Sequence, residues 1–441
     1  MESLAQIAAA LQQVLTTVAD EAAREVGFIR RRRVWTGAGF VQTLVFGWLG
    51  RPEASVHQLT QLASTVGIGI SPQGLDQRFG PAAAALLERV LAAATAIVVA
   101  SSGVTTPLLQ RFAGVWILDC TTIGLPDALA TTWPGCGGRT AQGTAAALKL
   151  QVRLDLRHGQ LQGPALLAGR AQDKTGPLQT AALPAGALLV QDLGFWSCAR
   201  FRAVGEAGAF WLSRLHPSTA VLTPAGQRLE LPRWLAGRGG ATVETAVQLG
   251  VAARLPARLL ARRVPPSGAA GRRRQLRVAA KREGPQPPRR PLALADWTVS
   301  VTNVPPERLT GDEAWVLGRA RWQIEVLFKL WKRDGQLATS RSRQPWRVLC
   351  EVSAKLVALV LQHWILLSGC WHQANRSLVQ AAQTLRDHAR ELVRALPDPP
   401  RLLDELHGLV RCLDTGCRVT ARRTHPSAFQ LLHDPRLGTV R

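Results

Sequence analysis

Three acidic residues stand out by where they fall in the chain. Asp119 closes the apolar run GVWILD (114–119), and Asp192 closes a second, GALLVQD (186–192). Short apolar runs of this kind read as buried strands. Open α/β sheets hold their sites at the carboxyl ends of strands. Two carboxylates placed side by side repel unless a cation neutralises them, and an all-oxygen donor set suits Mg2+ or Mn2+. Taken alone, the two acids read equally well as solvated loop residues. The third acid, Glu325, falls on a helix expected over 311–335. At about 100° per residue, Glu325 and Lys332 lie about 40° and 20° around the axis from Arg321, so the three share one face. Lys329 lies near them. A single acid on a basic face suits a metal ligand beside a phosphate chain. An ordinary solvated face with an i,i+4 Arg–Glu pair is the alternative.

The charge balance gives such a face a partner. The chain of 441 residues carries 54 Lys and Arg against 30 Asp and Glu, a net charge of +24. Folding needs no such field, and a polyanion answers it. Six of the basic residues are Lys and 48 are Arg, whose planar fork matches phosphate in pairs of hydrogen bonds. Seven cysteines, with no C-x-x-C pair, argue for reduced thiols and against a disulfide framework or a zinc site. The N-terminal stretch carries acids among its apolar residues and is not expected to be a signal peptide. The run LVALVLQHWILL (356–367) is expected to be too short to span a bilayer. No membrane is expected, and the expected location is the cytoplasm of a bacterial-type cell, beside the nucleoid.

The elements that must position these residues follow from periodicity. Residues 1–27 and 37–100 have helical spacing. Within them 55–79 reads as helix, glycine turn, helix, with Ser71 as N-cap and Pro72 at the first helical position. This is a helix-turn-helix in outline, with Arg78 as its candidate DNA contact, and simple helix packing fits it equally. ALKLQVRLDLRHG (147–159) alternates as a half-buried strand, and 161–169 can pair with it across His158-Gly159. A helix over 195–208 and a strand over 209–215 follow. Residues 218–305 are rich in Pro, Gly and Arg, with short alternating segments such as TVETAVQLG and RQLRVAAKRE, and read as a β-rich insertion. Within it GPQPPRRP (284–291) is expected as loop and ADWTVSVTNVP (295–305) as strand. The rest, 345–441, is expected to be helical.

The segment RWQIEVLFKLWK (321–332) resembles the signature helix of the IS-four family of cut-and-paste DDE transposases, to which the Tn-five transposase belongs. Arg321, Glu325 and Lys332 hold three of that pattern's four places. The fourth, a Tyr, is Gly318, in a chain with no Tyr. VWILDCTTIGLP (115–126) and LLVQDLGFWSCARFRAVGEAGAFWLSRL (188–215) are similar to the strands of the family's first and second Asp. The 133 residues from Asp192 to Glu325 leave room for the family's β-rich insertion.

The resemblance implies an α/β fold with an RNase H-like core at 106–217 and 306–344, interrupted by the insertion at 218–305. A helical DNA-binding region at 1–105 and a helical region at 345–441 flank it. It implies that Asp119, Asp192 and Glu325 are catalytic and hold two Mg2+ or Mn2+ ions. Arg321, Lys332, Lys329 and Lys149 would hold phosphates. Trp297 matches a family tryptophan that stacks on a flipped base, although a strand Trp in the core is an equal reading. The implied activity is strand cleavage and strand transfer at insertion-sequence ends. The implied partners are double-stranded DNA, as terminal inverted repeats and target, and a second copy in a synaptic homodimer. The missing Tyr leaves open a DNA-binding protein that keeps the fold without catalysis. An RNase H-like nuclease without transposition is a weaker third reading.

Overall fold

The computed structural model describes the chain except residues 1, 31–33, 102, 105, 138–144, 284–288, 374, 420–427 and 435–441. Most of the basic run 30–33 thus lies outside the described residues. The strands are β1 (Val115–Leu125), β2 (Ala146–Asp155), β3 (Leu161–Ala168), β4 (Leu188–Gln191), β5 (Phe210–Arg214), β6 (Val221–Leu222), β7 (Thr242–Leu249), β8 (Leu255–Arg263) and β9 (Trp297–Thr302). With many helices beside them, they bear out a mixed α/β fold consistent with an RNase H-like core. The chain divides into two compact units. One comprises Met1–Thr105, Asp119–Leu178 and Trp322–Gln430; the other comprises Thr106–Leu118, Gln179–Arg321 and Leu431–Arg441. β1 runs from the second into the first.

In the first unit the helix Pro345–Gly369 packs on Gly37–Gly50 and Pro81–Ala96. By length and composition it could cross a membrane, but its most apolar stretch is wholly buried in the protein. The apolar run at 356–367 was expected to be too short for that; the turns from Val348 extend it. Three of its buried polar groups have partners. Lys355 pairs with Glu351 at 2.7 Å and donates to the carbonyls of Gln336 and Thr339. His363 donates from Nε2 to the Gly159 carbonyl at 2.7 Å.

That carbonyl lies in the turn joining β2 to β3. Gly159 has φ +71, and a Cβ there would lie 2.2 Å from the Leu367 side chain. Both conditions demand glycine. The Asp155 carboxylate accepts the backbone N–H groups of Arg157 and His158 and meets His158 Nδ1 at 2.7 Å. β2 is buried on both faces, Gln151, Arg153 and Asp155 included, and so is not the half-buried strand expected. Alternation of residue type misled because these polar side chains find partners inside, as where Arg153 Nε donates to Gln162.

The helix-turn-helix outline is present in part. Val56–Thr65 and Pro72–Asp76 flank a turn, and Ser71 Oγ accepts from Gly74 N–H at 3.0 Å. The second helix has five residues. At about 1.5 Å per residue it is too short to lie along a DNA groove as a recognition helix does.

In the second unit the order is β1-β4-β5-β9-β8-β7-β6. β1, β4 and β5 are parallel and the others antiparallel. The core gathers Trp116, Leu189, Phe201, Trp211, Leu259, Trp297 and Val301, with the Phe201 and Trp211 rings stacked at 4.4 Å. Between β5 and β9 the chain forms β6, β7 and β8 together with the helices Leu231–Ala236, Pro266–Glu283 and Arg289–Ala293. RQLRVAAKRE, expected as strand, belongs instead to the helix Pro266–Glu283. Its Ala, Arg, Gln, Leu and Lys residues are strong helix formers. Residues 284–288 of the expected loop lie outside the described residues; Arg289–Ala293 is a short helix, which admits Pro291 in its first turn.

His363 gives a prediction. Burial pushes its pKa down from 6.5 to about 4. The folded state therefore binds fewer protons than the unfolded chain across that window. Stability is full above pH 6.5 and is lost as pH falls towards 4, by about 3 kcal/mol from this residue. Urea unfolding at pH 6.5 and 4.5 should show His363→Gln losing less stability between the two pH values than the parent. An equal loss in both would contradict the assignment.

Candidate active site

The parallel pairing of β1 with β4 runs in register from Val115↔Leu188 to Leu118↔Gln191. Asp119 follows Leu118, and Asp192 follows Gln191. Each acid is thus the residue after the last rung of one ladder. Asp119 does not end its strand, as the sequence suggested: β1 continues to Leu125. The polar CTT that follows contains two β-branched threonines, which suit a strand. Asp119 Oδ1 accepts the Cys120 N–H at 2.8 Å. Asp192 leaves β4 and opens the single turn Leu193–Phe195, its carbonyl accepting from Phe195 N–H at 3.1 Å.

The expected helix 311–335 comes in pieces. Gly311–Ala320 and Trp322–Lys329 meet at Arg321, and Leu330–Asp334 forms a π segment. The start is fixed twice. Thr310 and Glu313 form a capping box, and the Arg111 guanidinium grips both oxygens of Glu313 at 2.8 and 2.7 Å. Burial pushes the Glu313 carboxyl up, but the Arg111 and Thr310 donors outweigh it and hold it below its ordinary range.

Two cations of the signature face are engaged. Arg321 Nη2 lies 3.6 Å from the Asp192 carboxylate. Lys332 Nζ donates to the Thr122 carbonyl at 2.9 Å, three residues along β1 from Asp119, and burial lowers its pKa. In the first unit this bond ties the segment after Glu325 to the strand of Asp119. The π segment turns Lys332 away from the angle of an ideal α-helix. Lys329 is exposed, its ammonium 4.5 Å from the Trp322 ring centroid.

The other expected residues are placed differently. Lys149 pairs with Asp173 at 2.7 Å and also donates to the Ala171 carbonyl. Its β2 neighbour Gln151 bonds the Cys120 thiol, which burial, then Asp173, pushes up to about 12. Side chains alternate along a strand, so Lys149, Gln151 and Cys120 share the sheet face opposite to Asp119. Lys149, expected as a phosphate ligand, is paired with Asp173 in this structure. Trp297 is 6% exposed, in the core, with the Arg263 guanidinium 4.9 Å from its ring. A residue so enclosed has no open face for a base. Arg78 lies over the Phe28 ring at 5.0 Å and is partly buried. Among the described residues no three His, Cys, Asp or Glu side chains are gathered as a ready metal cage.

Sequence reasoning missed the Arg111–Glu313 clamp, whose partners lie 202 residues apart. It also passed over Trp322, 49% exposed on the helix of Glu325. The signal for Trp322 was its place beside Arg321.

Residues 110–361 match the family model of the transposase DDE domain. That span covers more than half of the chain and holds Asp119, Asp192 and Glu325. The chain belongs to the DDE transposase family. The chain is 26% identical to the transposase for insertion sequence element IS231C of Bacillus thuringiensis subsp. berliner, over 92% of this chain and 89% of that protein. It is 26% identical to the IS231F transposase of Bacillus thuringiensis subsp. israelensis, over 98% and 95%. It is 28% identical to the putative transposase InsL for IS186A of Escherichia coli (strain K12), over 56% and 67%. The chain is a DNA transposase: an enzyme whose partner is DNA and whose chemistry depends on divalent metal.

The family's Tyr position is testable in this transposase. Gly318 is exposed on the helix Gly311–Ala320, and a Cβ there would meet nothing within 4 Å. Gly318→Tyr should therefore fold normally and gain about 0.5 kcal/mol from helix propensity. Thermal unfolding checks this, and a loss above about 1 kcal/mol would contradict the open position.

Proposed function

We propose that Asp119, Asp192 and Glu325 are the metal ligands with which this transposase cuts insertion-sequence ends and joins them to target DNA. The single observation that carries this reading is the register of β1 and β4, with both acids one step past the same rung. The donor set, three carboxylates, fits a hard divalent cation, and Mg2+ or Mn2+ as a pair of ions is the reading. Arg321 already brings one positive charge to Asp192, as a carboxylate in such a place requires.

When bound, the ions supply an activated water or 3′-hydroxyl and stabilise the leaving oxygen. The chain's own residues hold the substrate. Arg321 divides its guanidinium between Asp192 and the phosphate next to the scissile bond. Lys332 fixes β1 against the signature helix through Thr122, and its ammonium keeps hydrogen-bond capacity for a phosphate. Lys329, exposed, takes a phosphate further along the strand. If the reaction unstacks a base, Trp322 offers the open ring that Trp297, buried as it is, does not. The substrates are terminal inverted repeats and target duplex, and the assembly is a homodimer pairing two ends. The place of action is beside the chromosome in a bacterial cytoplasm.

Duplex carrying the terminal repeat, incubated with Mg2+, should be nicked by the parent chain. Asp119→Asn, Asp192→Asn and Glu325→Gln should each lower the rate by at least about 10^3-fold, as loss of a charge stabilising a phosphoryl-transfer transition state does, and should bind the duplex as the parent does. If the parent binds and never cuts, the reading as a DNA-binding protein without catalysis replaces this one.

A further inference from the structure

We infer that the helix Pro266–Glu283, within the insertion, is a DNA-backbone rail on the transposase. The inference rests on the reading of the chain as a DNA-acting enzyme and extends it to a surface with no part in the chemistry.

The helix has two faces with different tasks. Arg272 donates to the Trp297 carbonyl at 3.1 Å and to Thr298 Oγ1 at 2.7 Å. Arg273 pairs with Asp296. Ala269 is buried, and Leu276 and Ala280 are half-buried on the same side. These contacts fix the rotation of the helix against β9 and the turn before it. The opposite side is exposed and carries Arg274, Arg277 and Lys281. From Arg274, the other two fall about 60° and 20° around the axis at 100° per residue, so the three form one stripe about 10 Å long. Among the described residues none of the three has an acidic partner, whereas Arg273 on the inner side has one. Gln275, Val278 and Ala279 lie beside the stripe in a shallow exposed groove that also includes Gly271 and Arg274.

Charge selects the occupant. Three unneutralised cations on one rigid face attract a regular array of anions, and a nucleic-acid duplex presents one along its backbone. Gln275 and the arginines carry donors suited to a base edge, and comparing the two duplexes separates base reading from phosphate contact. Arg272 and Arg273 anchor the helix to residues 296–298, which holds the stripe at a fixed rotation. Its contribution is positional: it holds double-helical DNA by its phosphates, whatever the sequence.

The test uses the full chain and two duplexes of equal length, one carrying the terminal repeat and one unrelated, with affinity measured from 50 to 300 mM NaCl. The variant is Arg274→Ala/Arg277→Ala/Lys281→Ala. Its control is Arg274→Lys/Arg277→Lys, which keeps the charges, and circular dichroism reports folding. Each phosphate contact adds roughly 0.9 to the slope of log affinity against log salt. The alanine variant should lose about 2 to 3 from the slope on both duplexes, and the lysine variant nothing. An unchanged slope in the folded alanine variant overturns the rail. So does a loss confined to the terminal repeat, which would mean base reading. If the alanine variant fails to fold, the single variants Arg274→Gln and Lys281→Gln replace it: each should lose about 1 from the slope on both duplexes, and unchanged slopes in both overturn the rail. If the parent binds neither duplex, the reading as a DNA-acting enzyme fails, a different outcome from failure of the helix alone.

Discussion

The step from Leu118↔Gln191 to the two residues that follow is the constraint on which the account depends. In a parallel pair the register is set by the apolar residues of both strands, here Val115 to Leu118 and Leu188 to Val190, all buried. A slip of one residue would turn every one of these side chains to the other face. Both faces of these strands are buried, so a slip would force both to repack at once, and that cost pins the register far more firmly than either acid could. Hydrophobic packing thus sets where Asp119 and Asp192 fall along their strands.

The signature segment makes polar contacts at intervals along its length, each within one unit. Arg111 clamps Glu313 at its start, Arg321 reaches Asp192 where its two segments meet, and Lys332 bonds to Thr122 in the π segment. Beyond it, the buried Lys355 holds the carbonyls of Gln336 and Thr339. Glu325 lies between the second and third of these contacts.

Much of this was legible in the residues. The apolar runs ending in Asp119 and Asp192 marked two strands, and the spacing of Arg321, Glu325 and Lys332 marked the helix. What was hidden had physical causes. β1 continues past Asp119 because two threonines extend a strand as well as apolar residues do. The β2 polar residues look solvent-facing in sequence but are buried with partners. The pairing of Lys149 with Asp173, 24 residues away, could not be read from its charge alone. Trp297 was matched by position in a pattern, whereas burial depends on β8 and the helix Pro266–Glu283. That helix was read as strand because short alternation outweighed its helix-forming composition.

Iron-directed cleavage of the polypeptide tests the central claim most directly. With Fe2+ in the metal site, ascorbate and peroxide generate hydroxyl radicals that cut the backbone within a few ångströms of the ion. Cuts near residues 119, 192 and 325 in the DNA-bound chain, all suppressed together by excess Mg2+, are the result expected. Cuts near one of the three alone, or elsewhere in the chain, would contradict the account.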